Sequence, residues 1–189
     1  MHEVIVCEKP TSAEKIAKAL SPSAKKKVYN KKVKYWELKK DSKDITVVSA
    51  VGHLYSLTPD NPKDKVYFDL HWAPAYEVNK RGSGFTKDYV RAIKKLGKNA
   101  DSYIHACDYD TEGTLIGYNA LKYACGQNNL SKISRMKFST LTKKDLLDCY
   151  KKYGFGTNTG FTLKRELNGS VNFKYDVEAA AAGYGQRIT

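Results

Sequence analysis

The feature that most constrains the fold is a unit of strand, acidic residue and helix that occurs near the N-terminus and again in the middle of the chain. Residues 4–7 form a short apolar run, rich in β-branched side chains, that ends at Glu8 and precedes a helical pattern. The same order recurs at residues 103–107, Asp108 and the residues that follow. Fully apolar runs of this length are typical of parallel strands covered on both faces. The repetition therefore predicts an α/β fold.

The rest of the chain supports a parallel sheet with helices on both faces. Further strands are predicted at 45–51 and 134–138, helices at 86–96 and 143–150, a lysine-rich hairpin at 25–40, and an irregular proline-containing excursion at 58–86. Glycine, asparagine and threonine become frequent after residue 152. We therefore expect a first domain over residues 1–152, and a linker with the start of another domain over 153–189.

Composition narrows the function before any motif is considered. The net charge is +13 and the pI is about 9.4, which favours a polyanionic partner such as nucleic acid. The four cysteines are far apart and form no C-x-x-C pair, so neither a zinc site nor a disulfide framework is indicated. No secretion signal or membrane-spanning run is visible in the sequence. We expect a soluble, cytoplasmic protein without a membrane partner.

The acidic residues predict a metal site. Ligands of open parallel sheets bind beyond the carboxyl ends of the strands, which is where Glu8 and Asp108 fall. Asp110 and Glu112 follow in the same turn or at the start of the next helix. Carboxylates this close to each other either have a raised pKa or bind a cation, because their repulsion is otherwise uncompensated, and Mg²⁺ prefers such oxygen ligands. We therefore predict that Glu8, Asp108, Asp110 and Glu112 converge around Mg²⁺, with Lys9 beside them to pair with a phosphate.

Simpler interpretations compete with this one. Aspartate and glutamate after strands often cap helices, and a lysine such as Lys9 is usually a solvated surface residue. A two-component receiver domain also gathers acids at this edge of its sheet. The acid after each of two strands favours a metal site over caps, and the long basic insertion disfavours a receiver domain.

Four motifs in order resemble those of the TOPRIM domain of type IA DNA topoisomerases. They are VIVCEKP at 4–10, SAVGHL at 49–54, DYDTEG at 108–113 and RMKFS at 135–139. The resemblance covers approximately residues 1–150 and is closest to the archaeal topoisomerase I and topoisomerase III branch. It implies a Rossmann-like parallel sheet and an enzyme that cleaves one DNA strand, passes another through and reseals it.

The resemblance also implies residue roles. The glutamate matched by Glu8 is the general acid and base at the scissile phosphate, and the lysine matched by Lys9 stabilises that phosphate. The acids matched by Asp108, Asp110 and Glu112 bind Mg²⁺. These roles agree with the chemistry expected of phosphoryl transfer, where cations offset developing negative charge.

Some positions depart from the pattern or are ambiguous. Many bacterial relatives carry arginine and glutamate where this chain has Thr111 and Thr114, so a bacterial type of metal geometry is not implied. His53 lies in a family motif, and we favour burial in the domain over DNA contact for it. Arg187 matches a DNA-contacting arginine of the following domain, although Gln186 stands where another arginine is frequent.

The nucleophile that the resemblance implies is a tyrosine in a separate downstream domain, followed by proline. None of the fourteen tyrosines here precedes a proline. We therefore expect part of a larger enzyme, unable to relax DNA alone, whose partners are single-stranded DNA and the remaining topoisomerase polypeptide in the nucleoid. Topoisomerase I, topoisomerase III and reverse gyrase remain possible parents. The alternatives are a separate TOPRIM nuclease or primase-like protein and a non-catalytic nucleic-acid-binding module.

Overall fold

The computed structural model describes residues 1–61 and 69–154, which form two sheets and the helices around them. The main sheet has six strands in the order β2-β3-β4-β1-β7-β8, and β5 pairs with β6 in a small second sheet. The strands are β1 (His2–Cys7), β2 (Lys25–Tyr29), β3 (Val33–Lys40), β4 (Lys43–Ser49), β5 (Tyr55–Pro59), β6 (Leu70–Pro74), β7 (Ser102–His105) and β8 (Ile133–Arg135).

Five α-helices accompany these strands. They are α1 (Pro10–Leu20), α2 (Ala75–Val78), α3 (Thr86–Gly97), α4 (Thr111–Asn119) and α5 (Lys143–Gly154). A π-helical turn at Ala120–Ala124 continues α4, and a 3₁₀ helix at Gln127–Lys132 leads into β8. No helix in the described ranges is both long and apolar enough to cross a membrane.

Helices cover both faces of the main sheet, as the sequence predicted. β4, β1, β7 and β8 run parallel, whereas β2 and β3 are antiparallel additions at one edge. Successive residues of a strand point to opposite faces. Ile104 accordingly joins a hydrophobic cluster with α1 and α5. Its neighbours face the other side, where Tyr103 donates a hydrogen bond to the Gly97 carbonyl of α3 and His105 bonds the Thr114 carbonyl of α4. The α/β fold class is therefore confirmed.

The region around residues 58–86 is more regular than the sequence predicted. It contains β6, α2 and the end of β5 instead of an irregular excursion. Pro59 and Pro74 misled the prediction, since proline is disfavoured within central strands. Here both prolines lie at the ends of strands, in a two-stranded sheet where an amide donor is not needed at every position.

The predicted boundary near residue 152 falls in α5, which continues to Gly154. The predicted linker and second domain, at 153–189, lie outside the described residues apart from the last turn of α5.

Candidate catalytic and metal site at the carboxyl edge of the sheet

Glu8 and Asp108 follow the neighbouring parallel strands β1 and β7, and Lys9 bridges their side chains. The Nζ atom of Lys9 lies 3.2 Å from Glu8 Oε1 and 3.2 Å from Asp108 Oδ2. The Glu8 side chain is only 13% exposed, whereas that of Lys9 is 57% exposed. Two carboxylates that lie a hundred residues apart in the sequence thus contact the same ammonium group at the surface.

The charge of Lys9 is stabilised by this arrangement. Its hydrogen bond to Asp108, and then that to Glu8, raise the pKa of Lys9 above its usual range. The ammonium group therefore stays protonated at neutral pH. It faces solvent between two carboxylates, where an incoming phosphate could reach it.

Asp110 and Glu112 lie in the same turn but make different contacts. Asp110 caps α4, because its Oδ1 accepts a hydrogen bond of 2.6 Å from the backbone nitrogen of Gly113. A β-carbon at Gly113 would collide with the Asp108 carbonyl, so glycine allows the helix to begin directly against that residue. Glu112 Oε1 lies 3.5 Å from Nε2 of His53, and the Glu112 side chain is largely exposed.

The loop that carries His53 follows β4 in an unusual backbone conformation. The backbone nitrogen of Val51 donates a 2.7 Å hydrogen bond to the Glu8 carbonyl, which ties this loop to the end of β1. Val51 has a φ of 58°, an outlier for a β-branched residue, and Gly52 follows at 83°. This turn brings His53 to Glu112. His53 is exposed, so the preference for a buried packing histidine was wrong.

Two buried side chains, those of Arg135 and His105, support the backbone of the Asp108 loop through hydrogen bonds. The sequence analysis did not identify either of them as a functional residue. Arg135 Nη1 donates to the Cys107 carbonyl at 2.8 Å, and its Nη2 donates to the Asp108 carbonyl at 2.9 Å. Nη1 also donates, at 2.7 Å, to Nδ1 of His105, whose Nε2 is 3.0 Å from the Thr114 carbonyl. These bonds fix the backbone from which the Asp108 side chain projects.

The protonation state of His105 follows from its surroundings. Burial, reinforced by the charge of Arg135, lowers the pKa of His105 to about 3. The neutral imidazole therefore accepts from Arg135 at Nδ1 and donates to the Thr114 carbonyl at Nε2. The sequence offered one signal for the role of Arg135, because this residue begins the RMKFS motif. It ends β8, the strand next to β7 in the sheet.

The four predicted acids do not form one cluster. Within the described residues, no three His, Cys, Asp or Glu side chains are arranged to hold a metal ion. The structure brings Glu8 and Asp108 together and leaves Asp110 and Glu112 beside them in contact with other groups. This donor set still suits Mg²⁺, which commonly uses one or two carboxylates together with water and phosphate. Arg187, which the sequence analysis matched to a DNA-contacting arginine, lies outside the described residues.

Comparison with known proteins identifies the family of this chain. The Toprim domain family model matches residues 3–141. DNA topoisomerase 1 of Methanothermobacter thermautotrophicus is 58% identical over an alignment covering 91% of this chain and 26% of the relative. DNA topoisomerase 1 of Methanocaldococcus jannaschii is 46% identical over 79% of this chain and 19% of the relative. DNA topoisomerase 3 of Staphylococcus haemolyticus is 28% identical over 80% of this chain and 20% of the relative.

The chain spans about a quarter or less of the length of these three relatives. The family match covers most of the chain and includes both strands that precede Glu8 and Asp108. The chain therefore belongs to the Toprim family, and its Toprim domain is of the type IA DNA topoisomerase kind.

Proposed function

We propose that this chain is the acid-base and Mg²⁺-binding module of a type IA DNA topoisomerase. The observation that carries the proposal is the bridge from Lys9 to Glu8 and Asp108 at the carboxyl edge of the sheet. A carboxylate for proton transfer, a cation for a phosphate and a second carboxylate for a metal are thereby gathered at one point. The remaining topoisomerase polypeptide and single-stranded DNA would be its partners, in the nucleoid of the cytoplasm.

Glu8 is the proton carrier in this proposal. During cleavage, the oxygen of a tyrosine supplied from elsewhere in the enzyme attacks the phosphorus, the tyrosine proton passes to solvent, and a 5′-phosphotyrosine forms as the bond from phosphorus to the 3′ oxygen breaks. The departing 3′ oxygen takes a proton from the protonated form of Glu8. On rejoining, Glu8 takes the proton of the 3′ hydroxyl, and the released tyrosine regains a proton from solvent. The low exposure of its side chain limits competing water, and the ammonium of Lys9 offsets the negative charge of the phosphate.

Asp108, Asp110 and Glu112 would hold the metal ion. Bound Mg²⁺ would supply a Lewis acid that neutralises phosphate oxygens and helps to position the DNA ends for rejoining. This set of ligands suits Mg²⁺ because the carboxylate oxygens lie at the edge of the sheet where the ammonium group of Lys9 already binds between two carboxylates. Asp110 would keep its role as the cap of α4 and contribute its second oxygen.

A domain exchange tests the proposal. Residues 3–141 replace the matching segment of the topoisomerase 1 from Methanothermobacter thermautotrophicus, which is 58% identical to this chain. We expect the chimera to relax negatively supercoiled DNA in the presence of Mg²⁺. Glu8→Gln in the exchanged segment should lower the rate by about 10²-fold or more, the usual range for loss of a general acid-base group.

Two controls make the result decisive. Glu14→Gln changes an exposed glutamate on α1 that pairs only with Lys18 in the described structure, and we expect it to leave relaxation unchanged. The chain alone should not relax DNA. A folded chimera without activity would contradict the proposal. Mg²⁺-dependent cutting of DNA or RNA by the chain alone, abolished by Glu8→Gln, would favour a TOPRIM nuclease instead.

A further inference from the structure

An exposed aromatic side chain lies between the two aspartates of the DYDTEG motif. Tyr109 is 59% exposed, although the backbone of its loop is fixed by a hydrogen bond from buried Arg135 to the Asp108 carbonyl. Two cations approach its ring: Lys137 Nζ lies 4.9 Å from the ring centroid and Arg135 Cζ lies 5.6 Å from it. The ring is therefore anchored by cations and still presents more than half of its surface to solvent.

This ring borders an open cleft of about 520 Å³ at the carboxyl edge of the sheet. The cleft is also lined by Asp108 and by the segment after β8, which includes Phe138, Ser139 and Thr140. A volume of this size is within the range of small-ligand sites and admits one nucleotide. Its walls thus combine aromatic surface, hydroxyl groups and one of the site's carboxylates.

The wall after β8 is fixed in position. The Asp145 carboxylate accepts hydrogen bonds from the backbone nitrogens of Ser139 and Thr140, at 3.1 and 2.7 Å, and from the Thr140 hydroxyl at 3.2 Å. On the opposite wall, Arg135 holds the loop of Tyr109. A cleft with both walls held in this way needs little rearrangement to bind a ligand.

The negative charge of the cleft favours the base of a nucleotide over its phosphate. A phosphate placed inside would meet the Asp108 carboxylate, whereas a neutral base would not suffer that repulsion. Bases stack on exposed aromatic rings with little sequence preference, since every base has a π-face. Lys137, at the edge of the same ring, is placed to contact the adjoining phosphodiester.

We propose that Tyr109 and the cleft beside Asp108 form a subsite that stacks one nucleobase of single-stranded DNA next to the reacting phosphate. This inference rests on the proposed function for its substrate class. It adds a positioning residue, Tyr109, to the acids and the lysine of the site. Stacking there would fix the register of the strand relative to Glu8 and Lys9.

Binding of a fluorescent thymine oligonucleotide to the full chain tests the subsite, measured by anisotropy in EDTA so that no metal step enters. We expect Tyr109→Ala to weaken binding at least about fivefold, the lower limit for losing one stacked base. Tyr109→Phe keeps the ring and should bind within about twofold of the original chain. Phe85→Ala removes another exposed aromatic ring, just before α3, and should leave affinity unchanged.

Two further measurements separate stacking from other effects. On an abasic strand, Tyr109→Ala and the original chain should bind equally, because no base is present to stack. Tyr109→Ala should keep the salt dependence, whereas Lys137→Ala should reduce its slope by about 0.7. Melting followed by circular dichroism verifies that each variant is folded.

The inference is overturned if Tyr109→Ala binds the intact strand as well as the original chain does. It is equally overturned if the variant loses the same affinity on the abasic strand, or if the original chain does not bind the oligonucleotide. These outcomes are independent of the domain exchange. If the chimera is active and Tyr109→Ala has no effect on binding, only the subsite is rejected. If the chimera is inactive and Tyr109→Ala has its full effect, only the topoisomerase role is rejected.

Discussion

At the scale of single residues, the side chains proposed to take part in the reaction were easier to find than those that hold them in position. Glu8 directly follows β1, and Asp108 lies three residues after β7, so the end of each strand predicts where the two side chains meet. Arg135 and His105 lie within strands, where a charged or titratable residue at a buried position cannot be told from a solvent-facing one by sequence alone. Their hydrogen bonds to Cys107, Asp108 and Thr114 become visible only once the strands are paired.

The neutral state of His105 makes a prediction for stability against pH. Its pKa is about 3 in the folded chain against an ordinary value of 6.5, so between these values the unfolded state binds the extra proton. Stability should therefore fall as pH decreases below about 6.5, by at most about 1.4 kcal/mol per pH unit from this group. Urea unfolding between pH 7 and 5 measures this slope. We expect the slope to be shallower in His105→Asn.

His53→Asn is the matched control for this experiment, because it removes an exposed imidazole. It should retain the slope of the original chain. If His105→Asn and the original chain lose stability in parallel as pH falls, the buried imidazole is not the source of the pH dependence.

At the scale of elements, the spacing of apolar residues predicted which segments form helices and strands, but not the residues at which these elements begin and end. The helix expected at 86–96 is observed as α3, and the lysine-rich hairpin is observed as β2 and β3. Patterning succeeded there because buried Trp36 and Leu38 alternate with charged Glu37 and Lys39 in β3. It failed for β5 and β6, whose prolines mark strand ends rather than a loop. It also could not predict the strained turn at Val51, which depends on contact with β1.

One tertiary contact between elements is suited to a direct test. The Tyr150 hydroxyl of α5 donates a 2.7 Å hydrogen bond to the buried Glu3 carboxylate of β1. Burial and the nearby Glu3 raise the pKa of Tyr150, so the hydroxyl remains a donor. Ser102 and Lys43 contact the other carboxylate oxygen, at 3.2 and 3.4 Å. The pair thus links the last described helix to the central strand.

Tyr150→Phe should lower the free energy of unfolding by about 1.5–3 kcal/mol, since the carboxylate stays buried after losing a donor. Urea denaturation at pH 7 measures the change. Tyr89→Phe removes a hydroxyl without a hydrogen bond to the described residues, and we expect it to cost less than about 0.5 kcal/mol. Equal costs for the two variants would mean that the bond to Glu3 does not stabilise α5 on the sheet.

At the scale of the whole molecule, the overall charge and the charge of the candidate site have opposite signs. The chain carries a net charge of +13, yet the carboxyl edge of its parallel strands gathers Glu8, Asp108, Asp110 and Glu112. Excess positive charge attracts a polyanion from a distance, and the acids at the edge require a local cation before a phosphate can approach. The sequence predicted the excess of positive charge and the position of the acids at this edge, but the described residues do not bring all four acids into one cluster. Which acid contacts which partner depends on side-chain conformations, and those could not be inferred from spacing.

This arrangement predicts that Lys9 and Mg²⁺ compete for the Asp108 carboxylate, which contacts Lys9 and is also a proposed metal ligand. Lys9→Met removes the ammonium that now lies 3.2 Å from Glu8 and from Asp108, and leaves their repulsion uncompensated. We expect the variant to melt at a lower temperature than the original chain in EDTA, and to gain more from Mg²⁺. A metal concentration ten times the dissociation constant adds about 1.4 kcal/mol, which corresponds to about 3–6 °C in Tm. Lys18→Met, which removes only a surface ion pair with Glu14, should respond to Mg²⁺ as the original chain does. An identical Mg²⁺ shift in Lys9→Met and the original chain would mean that the ammonium and the metal do not share the Asp108 carboxylate, and the metal would then have to be assigned to other ligands.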